Sequence, residues 1–336
     1  MTIATSHPLI IRARVLFPGL VVSTIVAAAA SFLSEHYQAP VMLFALLLGM
    51  SLNFLSSDGA CKLGIEFTAR EILRIGVALL GMRITFAQIA ALGWHPVVLV
   101  LLSVGTTIVL SMLAARALGF QKLFGLLTGG ATAICGASAA LALAAALPAH
   151  PGKEWATLFT VIGVSALSTL AMIVYPMVVQ ALQLSPTQAG VFLGGTIHDV
   201  AQVVGAGYGM SRETGDTATV DKLMRVAMLL SVIVCAALLS RAEGQVADGK
   251  RPPLLPWFAV AFIAFAALNS TGWLGAGWQH AANESSRWCL VIAISALGMK
   301  TQLKELATVG LKPILLMVGE TVFLAALVLA LLRWGQ

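Results

Sequence analysis

Long runs of apolar residues recur along the whole 336-residue chain. About 20 consecutive apolar residues form a helix that crosses the hydrocarbon core of a bilayer. Hydrophobic residues make up 59% of the chain and charged residues only 10%, whereas soluble domains carry about 25% charged residues. This chain therefore has too few charges to cover a surface that faces water. The pattern predicts an all-α membrane protein.

About eleven runs are candidates for transmembrane helices by this length criterion. They lie near residues 15–33, 40–55, 70–90, 96–116, 123–147, 155–182, 188–208, 222–240, 254–272, 287–304 and 312–333. The first run follows Arg12 and Arg14, and Ala27–Ala30 resembles the cleavage site of a secretion signal. Because this run exceeds the roughly 7–15 residues of a signal core, we expect a retained helix, with cleavage as the alternative.

The distribution of basic residues predicts the orientation, because cytoplasmic loops carry more Lys and Arg. With the N-terminus in the cytoplasm, thirteen of the 20 Lys and Arg residues fall in inside loops. The C-terminus is then outside. Arg225, near the outer end of the eighth run, is expected to extend toward the interface. The basic residues are scattered singly between apolar runs, so we expect no nucleic-acid partner.

The four cysteines show no CxxC pair and no metal-ligand spacing. We expect buried thiols that act as small hydrophobic side chains, with neither a metal site nor another cofactor.

An internal repeat relates residues 40–116 to residues 256–333. The matched positions are Pro40 and Asn53 with Pro256 and Asn269, Leu80-Gly81-Met82 with Leu297-Gly298-Met299, and Gly93, Pro96 and Arg116 with Gly310, Pro313 and Arg333. The matched runs are seven apart, so the two copies cross the membrane in opposite directions. Inverted repeats are typical of secondary transporters, and the alternative is a duplication kept for packing. We predict one integral membrane transporter domain with a central core at residues 123–208.

Two glycine-rich stretches in this core are unusual for helices that face lipid. The first is TGGATAICGASAA, from Thr128 to Ala140. A helix break at membrane depth is tolerated where the freed backbone groups face protein, water or substrate, and it creates a helix N-terminus that attracts anions. Thr128, Thr132 and Ser138 could add hydroxyl donors. The alternative is a packing face of small residues.

The second stretch is LGGTIHDVAQ, from Leu193 to Gln202, which continues to Gly209. An Asp at the centre of a transmembrane helix costs about 2.5–3.5 kcal/mol, so Asp199 should border a cavity or a partner. His198 titrates near physiological pH, and Gln202 lies one turn away on the same predicted helix face. These groups suit proton or cation coupling, and Asp199→Asn is expected to abolish it. The alternative is a structural hydrogen-bonded pair between helices.

Glu320 is another acid placed well inside an apolar run. Its repeat partner position holds Ser103, so its role is not shared by the two halves. We treat Glu320 as a further coupling candidate.

The motifs GGATAICGASAA and GGTIHDVAQVV, in that order, resemble the YeiH-type sulfate exporter family of bacterial inner-membrane proteins. The resemblance covers residues 15 to 333 and implies a multi-pass protein of the bacterial inner (cell) membrane. It also implies a fold similar to cation–proton antiporters and bile-acid transporters, in which two broken helices cross. The expected substrate-binding residues are Thr128, Gly129, Gly130, Thr132, Cys135, Gly136, Ser138, Gly194, Gly195 and Thr196, and the expected coupling residues are His198, Asp199, Gln202 and Glu320. Asp199 replaces the glutamate of some relatives, which keeps the charge on a shorter side chain.

The predicted topology and this fold disagree at one point. The fifth and seventh runs cross in the same direction, whereas crossing broken helices come from inverted halves. Either one segment is re-entrant, or the second crossing helix is the tenth run with Leu297-Gly298-Met299.

The function that the sequence favours is secondary transport of a small anion, of the sulfate or sulfonate class, by alternating access. Coupling to protons or sodium and a homodimer in the bilayer are further expectations. The alternatives are an intramembrane enzyme that uses His198 and Asp199, and a passive anion channel. The sequence contains no Walker motif, no HExxH and no GxSxG, so we expect no enzyme.

Overall fold

The apolar runs form helices throughout the part of the chain that the structure, a computed structural model, describes: residues 8–37, 40–57, 59–91, 93–147, 152–242, 257–301 and 311–334. The helices are α1 (Pro8–Tyr37), α2 (Val41–Ser51), α3 (Phe54–Ser57), α4 (Lys62–Phe67), α5 (Leu73–Leu80), α6 (Phe86–Ala91), α7 (His95–Ala117), α8 (Lys122–Ala133), α9 (Ala137–Ala146), α10 (Lys153–Ala181), α11 (Pro186–Thr196), α12 (Val200–Met210), α13 (Arg212–Ala227), α14 (Leu229–Ala242), α15 (Trp257–Ser270), α16 (Ala276–Lys300) and α17 (Leu311–Trp334). A π-helical turn at Thr68–Ile72 joins α4 to α5, and a 3-10 turn at Gly81–Arg83 follows α5. None of the described residues forms a strand, so the all-α prediction is confirmed there.

The helices divide into two compact units. Unit 1 contains α1 to α5, α15 and α16, and unit 2 contains α7 to α14 and α17. Each copy of the predicted repeat divides in the same way, because its last long helix, α7 or α17, belongs to unit 2.

Unit 1 contains a reciprocal pair of asparagine contacts. Asn53 donates from its side-chain amide to the carbonyl oxygens of Met299 and Thr301, 2.8 and 3.0 Å away. Its repeat partner Asn269 donates to the carbonyl oxygen of Ile84, the position that matches Thr301. Each asparagine therefore binds the chain just after the Leu-Gly-Met segment of the other copy. These contacts support the repeat, which stays a prediction.

Unit 2 contains two helical hairpins in place of two straight helices. In hairpin 1 (α8 and α9), Gly130 and Leu143 lie so close that a Cβ on the glycine would meet the leucine side chain. Thirteen residues of straight helix would separate these positions by about 20 Å. The chain reverses at tip 1, residues 134–136, where Gly136 has φ of 64°.

Hairpin 2 (α11 and α12) is built in the same way. Ala218 of α13 lies against both Gly194 of α11 and Gly207 of α12. This double contact requires α11 and α12 to run antiparallel, so the chain reverses at tip 2, residues 197–199. Helix α13 packs along both arms of hairpin 2.

Two long helices, α10 and α17, run past both tips. The backbone N–H of Asp199 in tip 2 donates to Ser168 of α10 at 2.9 Å. On α17, Thr321 contacts His198, also in tip 2. Ser168 and Thr321 lie close to the middle of their helices, which have 29 and 24 residues. Tip 2 therefore lies at mid-length of α10 and α17.

Among the described residues, four helices are long and apolar enough to cross a membrane by length and composition: Ala13–Tyr37, His95–Ala117, Lys153–Ala181 and Leu311–Arg333. The prediction that residues 123–147 and 188–208 each form one membrane-crossing span is wrong, because both segments reverse direction as hairpins at the predicted breaks. Helix α16 continues unbroken through Leu297-Gly298-Met299, so the tenth run has no helix break there.

Candidate functional site

The two hairpin tips contact each other in the interior of unit 2. His198 of tip 2 is fully buried, and a Cβ on Gly136 of tip 1 would lie 3.6–3.7 Å from its atoms. Nδ1 of His198 lies 2.9 Å from the carbonyl oxygen of Thr132, and Nε2 lies 3.1 Å from Oγ1 of Thr321. A carbonyl oxygen only accepts hydrogen bonds, so Nδ1 carries a proton. His198 thereby connects hairpin 1, hairpin 2 and α17.

Lys222 of α13 joins the two tips from another direction. Its side chain is fully buried, and Nζ donates to the carbonyl oxygens of Ile134 at 2.6 Å and Ile197 at 2.9 Å. These carbonyls are at the C-terminal ends of α8 and α11. A helix C-terminus carries partial negative charge and unpaired carbonyl groups, so one ammonium group stabilises both helix ends.

Arg225, one turn further along α13, is also fully buried. Its Nη1 donates to the carbonyl oxygens of Gly194 at 3.3 Å and of Gly195. Its Nε and Nη2 are buried and have no hydrogen-bond partner. The expectation that Arg225 extends to the membrane interface is therefore wrong, because backbone carbonyls of hairpin 2 attract the guanidinium inward.

Asp221 completes the charged face of α13. It is fully buried, and neither carboxylate oxygen has a hydrogen-bond partner. Buried charges are normally paired. An unpaired carboxylate and an incompletely bonded guanidinium one turn apart thus mark the junction of hairpin 2 and α13 as a polar site.

Glu320 of α17 lies against α8 of hairpin 1. It is 3% exposed and receives hydroxyl contacts from Ser111 of α7 and from Thr128 and Thr132 of α8. The predicted residues Thr128, Thr132 and Glu320 therefore do come together.

Asp199 and Gln202 have more local partners. Asp199 is half-buried, and its Oδ1 accepts from the backbone N–H of Ala201 at 2.8 Å, which makes it the N-cap of α12. Gln202 donates to Thr169 of α10 at 2.8 Å, while its Oε1 is buried without a partner. His198 precedes α12, so the prediction that it shares a helix face with Gln202 is wrong. Their coupling roles stay predictions.

Most of the predicted glycines mark close helix packing. Gly129 approaches Ser111, Gly130 approaches Leu143, and Gly194 approaches Ala218. A Cβ added to Gly195 would lie 3.4–3.6 Å from side-chain atoms of Asp221 and Val328.

The remaining predicted substrate residues differ in burial. Cys135 and Gly136 are buried in tip 1, and Thr196 is buried and donates to the carbonyl of Phe192 at 2.6 Å. Ser138 is exposed on α9. Substrate binding by these residues stays a prediction.

Sequence reasoning missed Ser111, Asp221, Lys222, Arg225 and Thr321. The sequence signal for the charged group was the string DKLMR at residues 221–225, which places Asp221 and Arg225 one helical turn apart at the start of an apolar run. Such spacing puts both charges on one helix face. Ser111 and Thr321 gave no signal, since hydroxyl residues inside apolar helices are common.

Comparison with known proteins decides the family. The family model described as conserved hypothetical protein 698 matches residues 18–317. The chain belongs to the UPF0324 family of membrane proteins. The family resemblance inferred from the two motifs is thereby confirmed.

UPF0324 relatives match over nearly the whole chain. The UPF0324 membrane protein CT0845 of Chlorobaculum tepidum is 56% identical over 95% of this chain and 89% of its own length. The UPF0324 membrane protein TauZ of Paracoccus denitrificans is 53% identical over 93% of each chain. The relative PA5383 of Pseudomonas aeruginosa is 33% identical over 90% of this chain and 89% of its own length. No solved structure matches the chain.

Proposed function

We propose that this protein is a secondary transporter for a small anion and that the anion binds where the hairpin tips meet α13. The observation that carries the proposal is the fully buried guanidinium of Arg225, whose Nε and Nη2 have no partner. Buried guanidinium donors bind carboxylate, sulfonate or sulfate oxygens strongly and in a planar, two-point geometry. Lys222 adds a second buried positive charge beside them.

The hairpin architecture supports transport over a purely structural role. Irregular backbone at membrane depth is tolerated where it is buried in protein or lines a pathway, and here two such segments meet in the interior of unit 2. Each tip combines the C-terminus of one helix with the N-terminus of the next. Lys222 donates hydrogen bonds to carbonyl groups at the C-termini of α8 and α11. At the N-terminus of α9, by contrast, no side chain accepts a hydrogen bond from the backbone N–H groups.

Re-entrant hairpins would also remove the conflict in the predicted topology, because the fifth and seventh runs would then enter the membrane from opposite sides. Two re-entrant hairpins in place of two crossings leave an odd separation between the repeat copies, so the copies stay inverted. Lys153 then joins the cytoplasmic set, and the buried Lys222 and Arg225 leave the outside set. Both changes strengthen the basic bias that predicts a cytoplasmic N-terminus.

The proposal is tested with purified protein in liposomes. Uptake of radiolabelled sulfate, methanesulfonate and acetate is measured with and without the unlabelled anion inside. A transporter gives saturable uptake of at least one anion, accelerated by the internal anion. Conductance without saturation would instead identify a channel, and a chemically altered solute would identify an enzyme. Arg225→Gln should abolish uptake, whereas Arg212→Gln, an exposed arginine on the same helix, should leave it unchanged.

A further inference from the structure

Three hydroxyl groups converge on the carboxylate of Glu320. Oγ1 of Thr128 lies 2.7 Å from Oε1, Oγ1 of Thr132 lies 3.1 Å from Oε2, and Oγ of Ser111 contacts Oε1. All four side chains are buried. A buried carboxylate in an apolar helix needs such partners, because it has lost its contacts with water.

The contacts of Ser111 determine where protons can lie. Its Oγ is 2.7 Å from the carbonyl oxygen of Gly125, which can only accept a hydrogen bond. When the single hydroxyl proton of Ser111 points to Gly125, the contact with Glu320 requires a proton on the carboxyl group. When that proton turns to Glu320, the carboxylate can be ionised. The cluster thus provides hydrogen bonds for Glu320 with and without a proton.

A sodium ion fits this arrangement poorly. The hydroxyl oxygens are at hydrogen-bonding distance from the carboxylate oxygens, which leaves no space between them for a cation.

The surroundings of Glu320 contain few other titratable groups. Helices α7, α8, α10 and α11 pack against α17. Helices α7 and α8 contribute the three hydroxyls that contact Glu320. On α10, Gly163 lies beside Met317, and on α11, Gly195 lies beside Val328. His198 reaches the neighbouring Thr321, and Lys222 and Arg225 bind the hairpin carbonyls beyond it. Among the described residues, three hydroxyl groups contact the carboxylate of Glu320, and no basic side chain forms an ion pair with it.

Thr132 links this cluster to the hairpin tips. Its hydroxyl contacts Glu320, and its carbonyl oxygen accepts from Nδ1 of His198. Thr321, the residue after Glu320, contacts Nε2 of the same imidazole. A change in the proton on Glu320 therefore changes the hydrogen bonds of residues that also position tip 2.

We propose that Glu320 carries the coupling proton of the anion transporter, and that Ser111, Thr128 and Thr132 stabilise it in both protonation states. This inference rests on the proposed function and adds to it the identity of the coupling ion and its carrier.

The test uses proteoliposomes and whichever of radiolabelled sulfate, methanesulfonate or acetate the wild-type protein exchanges. Exchange without gradients is compared with accumulation under a pH gradient and under a sodium gradient at equal pH. The wild-type protein should accumulate the anion only under the pH gradient. Glu320→Gln, which resembles the protonated state, should keep exchange within about twofold and lose accumulation entirely. Glu154→Gln, an exposed acid on α10, should accumulate as the wild type does.

The outcomes separate the two proposals. Absence of exchange by the wild-type protein with all three anions would contradict the transport function itself. Normal exchange with pH-driven accumulation retained in Glu320→Gln, or accumulation driven by sodium in the wild type, would overturn the proton assignment alone. Ser111→Ala is a second variant in case Glu320→Gln does not fold. It should shift the pH midpoint of exchange, and an unchanged midpoint would also overturn the assignment.

Discussion

His198 and Thr132 are joined by a hydrogen bond of 2.9 Å between Nδ1 of the imidazole and the backbone carbonyl oxygen. The bond connects tip 2 to the last turn of α8, next to tip 1. Together with Lys222, which binds a carbonyl of each tip, it makes the two hairpins one interdependent structure. Changes at this junction should therefore alter both hairpins.

Lys222→Met should loosen the tips, because the carbonyls of Ile134 and Ile197 lose their ammonium partner. The buried thiol of Cys135 in tip 1 reports this opening in a variant whose other three cysteines are replaced by serine. If the free energy needed to open the tips falls by about 1.4 kcal/mol, maleimide labelling of Cys135 accelerates about tenfold. Lys122→Met, an exposed lysine on α8, is the control. Equal labelling rates in all variants would show that Lys222 does not keep the tips closed.

Gly136→Ala should lower the stability of the protein by about 1–3 kcal/mol, because φ of 64° with ψ of −132° is essentially restricted to glycine. Gly119→Ala is a matched variant, since Gly119 has φ of 87° but no neighbour within 4 Å. The unfolding temperature measured in detergent should fall for both variants. Anion exchange should fall only for Gly136→Ala, whose side chain would contact His198. Equal loss of exchange in both would attribute the effect to stability alone.

Asn53→Ala should destabilise the protein, because the carbonyl oxygen of Thr301 loses its side-chain donor and that of Met299 keeps only the hydroxyl of Ser56. Each unsatisfied, part-buried group costs about 1–3 kcal/mol. Asn269→Ala should act in the same direction with a similar effect, since the carbonyl oxygen of Ile84 loses its donor and the side-chain amide of Gln279 loses its acceptor. Gln180→Ala, exposed on α10, should change the unfolding temperature little. If Asn53→Ala behaved like that control, the reciprocal contacts would not stabilise unit 1.

Asp199→Asn should leave stability nearly unchanged, because Asn and Asp cap helices about equally well, whereas Asp199→Ala should cost about 1 kcal/mol. Thermal unfolding of the two variants, measured side by side, tests the capping role. Similar large losses in both would mean that the carboxylate charge of Asp199, and not its capping oxygen, stabilises the fold.

The sequence predicted the helical fold and both breaks, because paired glycines next to hydroxyl residues are costly inside ordinary transmembrane helices. It also placed Thr128, Thr132, His198 and Glu320 among the candidate residues, and these do meet. It could not distinguish a hairpin from a span, because α8 and α9 have 12 and 10 residues. Their combined apolar length equals that of one crossing helix.

The sequence predicted the wrong location for the buried cations Lys222 and Arg225, for a similar reason. A lysine or arginine beside the end of an apolar run is usually an interface anchor, and local sequence alone gives Lys222 and Arg225 that role. Their inward position depends on carbonyl groups of residues 134, 194, 195 and 197. Those carbonyls become available only when the distant hairpins fold against α13.

The measurement that tests the central claim most directly is equilibrium binding of the exchanged anion to the wild-type protein and to Arg225→Lys. Lysine keeps the charge but lacks the free Nε and Nη2 donors, and a hydrogen bond to a charged group contributes about 1.5–3 kcal/mol. We predict that the dissociation constant rises at least tenfold in Arg225→Lys, while exposed Arg212→Lys binds as the wild type does. An unchanged dissociation constant in Arg225→Lys would contradict an anion site at the junction of the hairpins and α13.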